Sequence, residues 1–139
     1  MSDWKTPLRL VEQLDKKGNI HEKGVKKLVS AVAEASELGD KLGCAEFIAF
    51  ATSAVRSAPN SEAVLDEVEK QTGVRLQILS GVEEAQLTFL SARRWYGWSA
   101  GRITNLDIGG GSLELSTGTD EHPDLAFSLD LGAGRLTHN

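Results

Sequence analysis

Residues 105–115, NLDIGGGSLEL, decide how this chain is read. An apolar run ends in Asp107, three glycines follow, and polar and apolar residues then alternate from Ser112. Glycine inside a regular element is less favourable than alanine by roughly 0.5–1 kcal/mol. Three in succession at a strand end therefore point to a purpose other than stability. Without Cβ atoms, successive backbone N–H groups can converge on one anion. The loop is not a Walker A loop, because the Gly-Lys-Ser/Thr ending is missing. It is not a G-x-G-x-x-G turn either, because position 114 is Glu. A strand follows, so the loop joins two strands. Alternation along that second strand puts Ser112 and Glu114 on one face and Leu113 and Leu115 on the other. Asp107 and Glu114 then offer the hard oxygen ligands that Mg²⁺ uses sparingly beside water and phosphate. The alternative is an ordinary tight hairpin, with Asp107 as a turn acceptor and Glu114 exposed.

Working outward, apolar Val25, Leu28, Val29, Val32, Ala33 and Ala35 recur at helical spacing, which predicts an amphipathic helix over 22–42 ending near Gly43. Lys23, Lys26 and Lys27 form its solvated face. Residues 45–51, AEFIAFA, are short and apolar and predict a buried strand. A second helix is expected over 60–72, with Asn60 as cap candidate and Gly73 as stop. Residues 74–79 alternate as a strand does. A third helix spans 81–96, with Val82, Ala85, Phe89, Ala92 and Tyr96 as its stripe. After Tyr96 only strands are expected, at 103–108, 112–117 and 126–131. Alternating helices and strands imply an α/β fold, with helices packed on a mixed sheet followed by a glycine-turn β-hairpin.

The bulk numbers fit one ordinary soluble domain of 139 residues: 40% hydrophobic, 25% charged, 14 glycines and 3 prolines. A net charge of −5 argues against broad nucleic-acid binding. It leaves room for an anionic substrate, because only the field at the site matters. No apolar stretch approaches the ~20 residues of a membrane span, and the first ten residues lack the pattern of a signal peptide. The chain therefore reads as cytoplasmic, without membrane attachment. Cys44 is the single cysteine, which excludes an internal disulfide and reads as a buried small apolar residue.

Ser80 and Glu83 have the spacing of a capping box. Glu84 has no such duty. It is a candidate to accept a proton from an attacking water, or simply an acid at the positive end of a helix dipole. Arg56 presents a planar fork suited to phosphate. Arg93 and Arg94 read as a solvated helix end.

Four strings together, ATSAVR (51–56), TGVRLQILSGVEEAQLTFL (72–90), LDIGGGSLE (106–114) and SLDLGAGRLT (128–137), resemble the exopolyphosphatases and guanosine pentaphosphate phosphohydrolases. These form the Ppx/GppA group within the sugar kinase, heat-shock protein and actin superfamily, whose core is ribonuclease H-like. RRWYGWSAGR (93–102) is similar to the actinobacterial branch.

The resemblance implies a hydrolase that removes terminal phosphate from inorganic polyphosphate by metal-assisted water attack. Glu84 would orient or deprotonate the water. Gly109, Gly110, Gly111, Ser112 and Arg56 would bind phosphate, and Asp107 and Glu114 would hold Mg²⁺ or another divalent cation. Guanosine pentaphosphate is the alternative substrate, and binding without catalysis a further alternative. The family's first phosphate loop, D-x-G-S-N-S, and most of its second lobe have no counterpart in this sequence. The resemblance thus implies part of a longer fold: 1–97 as the remainder of a first lobe and 98–139 as the start of a second. Impaired catalysis and self-association, as in a homodimer, are expected to follow.

Overall fold

The computed structural model describes residues 4–137. The chain forms two compact units, Met1–Ile78 and Leu79–Asn139. The sequence reading divides the lobes at 97, whereas the structure gathers helix α4 (Gly81–Tyr96) into the second unit. The reason is packing: Ala85 and Phe89 of α4 are fully buried in that unit. No helix among the described residues is long and apolar enough to cross a membrane.

In the first unit, α1 (Glu22–Lys41) packs against α3 (Ser61–Thr72). Leu28 and Val32 of α1 share a core with Val64, Leu65 and Val68 of α3, joined by Ile20, Val55 and Leu76. Each such side chain contributes roughly 1.5–3 kcal/mol when fully buried. Both helices stop where the sequence predicts, at Gly43 (φ 70°) and Gly73 (φ 72°), left-handed conformations that glycine adopts without a Cβ clash. Asn60 precedes α3 but its side chain does not cap it. Instead its amide reaches across to Ile20, accepting from the backbone N–H (2.9 Å) and donating to the carbonyl (3.0 Å).

The two predicted strands of this unit shrink to β1 (Phe50–Ala51) and β2 (Gln77–Ile78), a parallel pair. Residues 45–48 are exposed, and Cys44 is exposed as well rather than buried. Among the described residues β1 pairs only with β2, and a strand bonded on one side has no neighbour to extend it. Between β1 and α3 lies the short helix α2 (Ser53–Arg56).

The second unit is a three-stranded antiparallel sheet in the order β3 (Ile103–Ile108), β4 (Leu113–Gly118), β5 (Leu125–Leu129), with α4 packed against all three strands. Among the described residues the sheets are thus one parallel pair and one antiparallel meander. Two elements after Tyr96 were not expected: a 3₁₀ turn at Trp98–Ala100 and the helix α5 (Ala133–Thr137). Short glycine-flanked turns carry too little periodicity to be read from sequence. In α4 the buried positions are Ala85, Phe89 and Arg93, while Val82 and Tyr96 lie exposed.

Candidate functional site

The antiparallel register sets the site. Ile108 faces Leu113 across the glycine turn, Asp107 faces Glu114, and Asn105 faces Ser116. Glu114 in turn faces Ser128 on β5. Period-two alternation then gathers Asn105, Asp107, Glu114, Ser116 and Ser128 on one face, and Leu106, Ile108, Leu113, Leu115, Phe127 and Leu129 on the other. The covered face is the polar one. A Cβ on Gly118, which shares the face of Ser116 and Glu114, would lie 3.2 Å from the Phe89 ring of α4. The apolar face is the open one, with Ile108 63% and Leu106 55% exposed.

A stability-driven sheet would be turned the other way, because burying polar groups is unfavourable unless they are paired. Glu114 is 1% exposed and accepts a hydrogen bond from Ser128 Oγ at 2.7 Å. The buried hydroxyls of Ser112 and Ser116 have no hydrogen-bond partner among the described residues. Asp107 and Glu114 stand directly opposite, an arrangement of like charges that destabilises a sheet when nothing lies between them. A divalent cation fits such a pair of carboxylates. Among the described residues no cluster of three or more His, Cys, Asp or Glu side chains is assembled for a metal.

The glycine turn is tightly held on one side. Gly109 N–H donates to Ser112 O (2.9 Å), while Ala133 and Gly134 N–H donate to the carbonyls of Gly109 and Gly110, each at 2.9 Å. Gly110 is exposed, whereas Gly111 and Ser112 are buried. None of Gly109, Gly110 and Gly111 adopts a positive φ, so the left-handed freedom of glycine is not what the turn uses.

Glu84 sits half-buried in the first turn of α4. The start of that turn is fixed by the expected capping box: Ser80 N–H donates to Glu83 Oε2 (2.7 Å) and Glu83 N–H to Ser80 Oγ (3.2 Å). Hydrogen bonds from the Ser80 side chain and backbone hold the Glu83 carboxyl below the ordinary glutamate range. Glu83 is thus engaged in the cap. Arg56 ends α2 and belongs to the first unit, apart in the chain from Glu84, Asp107, Gly109, Gly110, Gly111, Ser112 and Glu114, which all belong to the second.

The profile of the Ppx/GppA phosphatase family matches residues 1–139. The chain belongs to the Ppx/GppA phosphatase family. It is 61% identical over 137 residues to Exopolyphosphatase 1 of Mycobacterium leprae, covering 99% of this chain and 40% of that protein. An exopolyphosphatase structure from Cytophaga hutchinsonii superposes with a TM-score of 0.82 at 27% identity, covering 88% of this chain and 39% of the other. A Ppx/GppA family member from Aquifex aeolicus gives 0.76 at 25% identity, covering 93% and 42%. This member of the family spans about two fifths of the length of these relatives, and its α/β fold is part of their actin-like fold.

Three buried polar residues of the second unit lie outside the candidates that the sequence of this family member offers. Ser116 continues the i, i+2 alternation from Glu114 and is in principle legible. Ser128 is not, because its place opposite Glu114 depends on the register of a third strand. Arg93 looks like a surface arginine but is fully buried, donating to the carbonyls of Gly101 (2.7 Å), Gly118 (2.9 Å) and Gly97 (3.3 Å) over the face of Phe89.

Proposed function

We propose that the second unit carries the phosphate and metal half of an exopolyphosphatase centre. The observation that supports this most directly is the group of buried polar residues Glu114, Ser112 and Ser116 beside a glycine turn whose Gly110 and Gly111 amides donate to no group among the described residues. Asp107 and Glu114 would hold Mg²⁺, which when bound supplies neutralisation of phosphate charge. Gly110, Gly111 and Ser112 would take the terminal phosphate of inorganic polyphosphate.

Contacts at the C-terminal end of α4 pin it at one end of the sheet. Arg93 bonds Gly118, Arg94 pairs with Glu121 (2.8 Å) and Phe89 packs by Gly118. Glu84 lies nine residues before Arg93, about 14 Å along the helix, against about 17 Å along the strand from Gly118 to Leu113. From that pinned end the first turn of α4, with Glu84, would run toward the glycine turn. There the Glu84 carboxylate would take a proton from water as the water oxygen bonds to the terminal phosphorus. The bridging P–O bond breaks, and inorganic phosphate leaves a chain shortened by one unit.

The test is phosphate release from medium-chain polyphosphate with Mg²⁺, measured beside calorimetric binding. Glu84→Gln should lower turnover by about 10²–10⁴ with the binding constant unchanged. Equal turnover in the variant would sink the role of Glu84, and binding without release by the parent would reduce the reading to anion capture. A parallel arm with guanosine pentaphosphate separates the two substrate classes. The open apolar face is a surface that a second copy or further chain would cover.

A further inference from the structure

The second glycine-rich string, LGAG at 131–134, lies against the first. Gly132 is buried with its backbone so close to the glycine turn that a Cβ there would fall 2.4 Å from Gly111 N, Gly111 C and Ser112 N. Real Cβ atoms do not approach so closely, so only glycine fits. From this contact the chain turns into α5, and the next two amides, Ala133 and Gly134, donate to the carbonyls of Gly109 and Gly110.

Peptide units have a fixed geometry. In a trans unit the C=O of one residue and the N–H of the next point in opposite directions, and every peptide here is trans. Because the Gly109 carbonyl points at Ala133, the Gly110 N–H must point away from α5. Because the Gly110 carbonyl points at Gly134, the Gly111 N–H must do the same. Neither amide donates to a protein group among the described residues. Two adjacent amides aimed the same way, with no side chain between them, make an anion-binding concavity.

We infer that the Gly132–Gly134 turn orients the anion-binding amides of the glycine loop, with Gly132 as a positioning residue that never touches the ligand. Gly132 sets how near the brace can come, and the amides of Ala133 and Gly134 set the direction. The inference rests on the phosphate-loop reading above and adds to it the element that aims the loop.

The test uses the ¹⁵N-labelled chain. Without ligand, the Ala133 and Gly134 amides should be protected from hydrogen exchange while that of the exposed Gly110 exchanges freely; the reverse pattern overturns the inference. On titration with tripolyphosphate and Mg²⁺, the Gly110 and Gly111 resonances should move in the parent. Gly132→Ala and Ala133→Pro should each weaken that binding by about tenfold or more. Proline is tolerated at the first position of a helix, so Ala133→Pro removes one orienting donor while leaving α5 able to form, which guards against a Gly132→Ala chain that fails to fold. Shifts in both variants at the parent's affinity would overturn the brace while leaving the phosphate loop standing. Absence of shifts at Gly110 and Gly111 in the parent would overturn both.

Discussion

Replacing Arg93 by methionine keeps the apolar stem over Phe89 and deletes the guanidinium. Its two short bonds, to Gly101 O at 2.7 Å and Gly118 O at 2.9 Å, are charge-assisted. Such bonds contribute about 1.5–3 kcal/mol each. The third, to Gly97 O at 3.3 Å, is long and part-buried, so water can replace it. Against these stands Nε, which is buried without a partner, a cost of about 1–3 kcal/mol that the native protein already bears. Contact of the guanidinium with the Phe89 ring, 5.7 Å from the centroid, adds about 0.5–1 kcal/mol. The expected loss for Arg93→Met is therefore about 3 kcal/mol, a large share of the 5–15 kcal/mol typical of a folded protein. Urea unfolding followed by far-UV circular dichroism measures it. Arg93→Lys should recover less than half, because one ammonium lacks the planar fork that reaches two carbonyls at once. A loss under about 1 kcal/mol with an unchanged urea slope would refute the reasoning.

Three further outcomes are expected. Asn60→Leu removes both bonds to Ile20 and should lower stability by about 2 kcal/mol, read as a shift in urea midpoint. Glu83 has its native carboxyl held below the ordinary range, so its cap contributes stability above the ordinary glutamate value near 4.3 and loses it as pH falls through the lowered native value. The stability gap between parent and Glu83→Gln should thus be full at pH 6 and close as the acid limb is descended; a gap that widens toward low pH would have the wrong sign. Asp107→Asn should weaken the Mg²⁺ dependence of tripolyphosphate binding by about tenfold or more, scored by Mg²⁺ titration at fixed anion concentration. An unaltered Mg²⁺ midpoint would remove Asp107 from the metal pair.

Much of the fold is legible because its signals are local. Helix α1 announces itself by apolar spacing and its glycine stop, α4 by Ser80 and Glu83, and the β3–β4 hairpin by alternation on both sides of three glycines. The misreadings are places where a partner decides. Residues 45–48 have the composition of a buried strand but stay out of the sheet, since strand pairing needs hydrogen-bonding neighbours and not merely apolar side chains. Arg93 reads as surface by charge, yet it faces inward because carbonyls from Gly97, Gly101 and Gly118 surround it.

By itself the sequence determines the short-range facts: where the three long helices run, where glycine must end a helix, that Asp107 and Glu114 flank a side-chain-free turn, and which family the motifs resemble. Those follow from steric preference and periodicity, which act over a few residues. Only the tertiary structure decides that the polar face of the sheet is the covered one, that Ser128 supports Glu114, and that Gly132 lies against Gly111. These contacts join residues 14 and 21 positions apart, and strand register and backbone approach set them after the chain has folded.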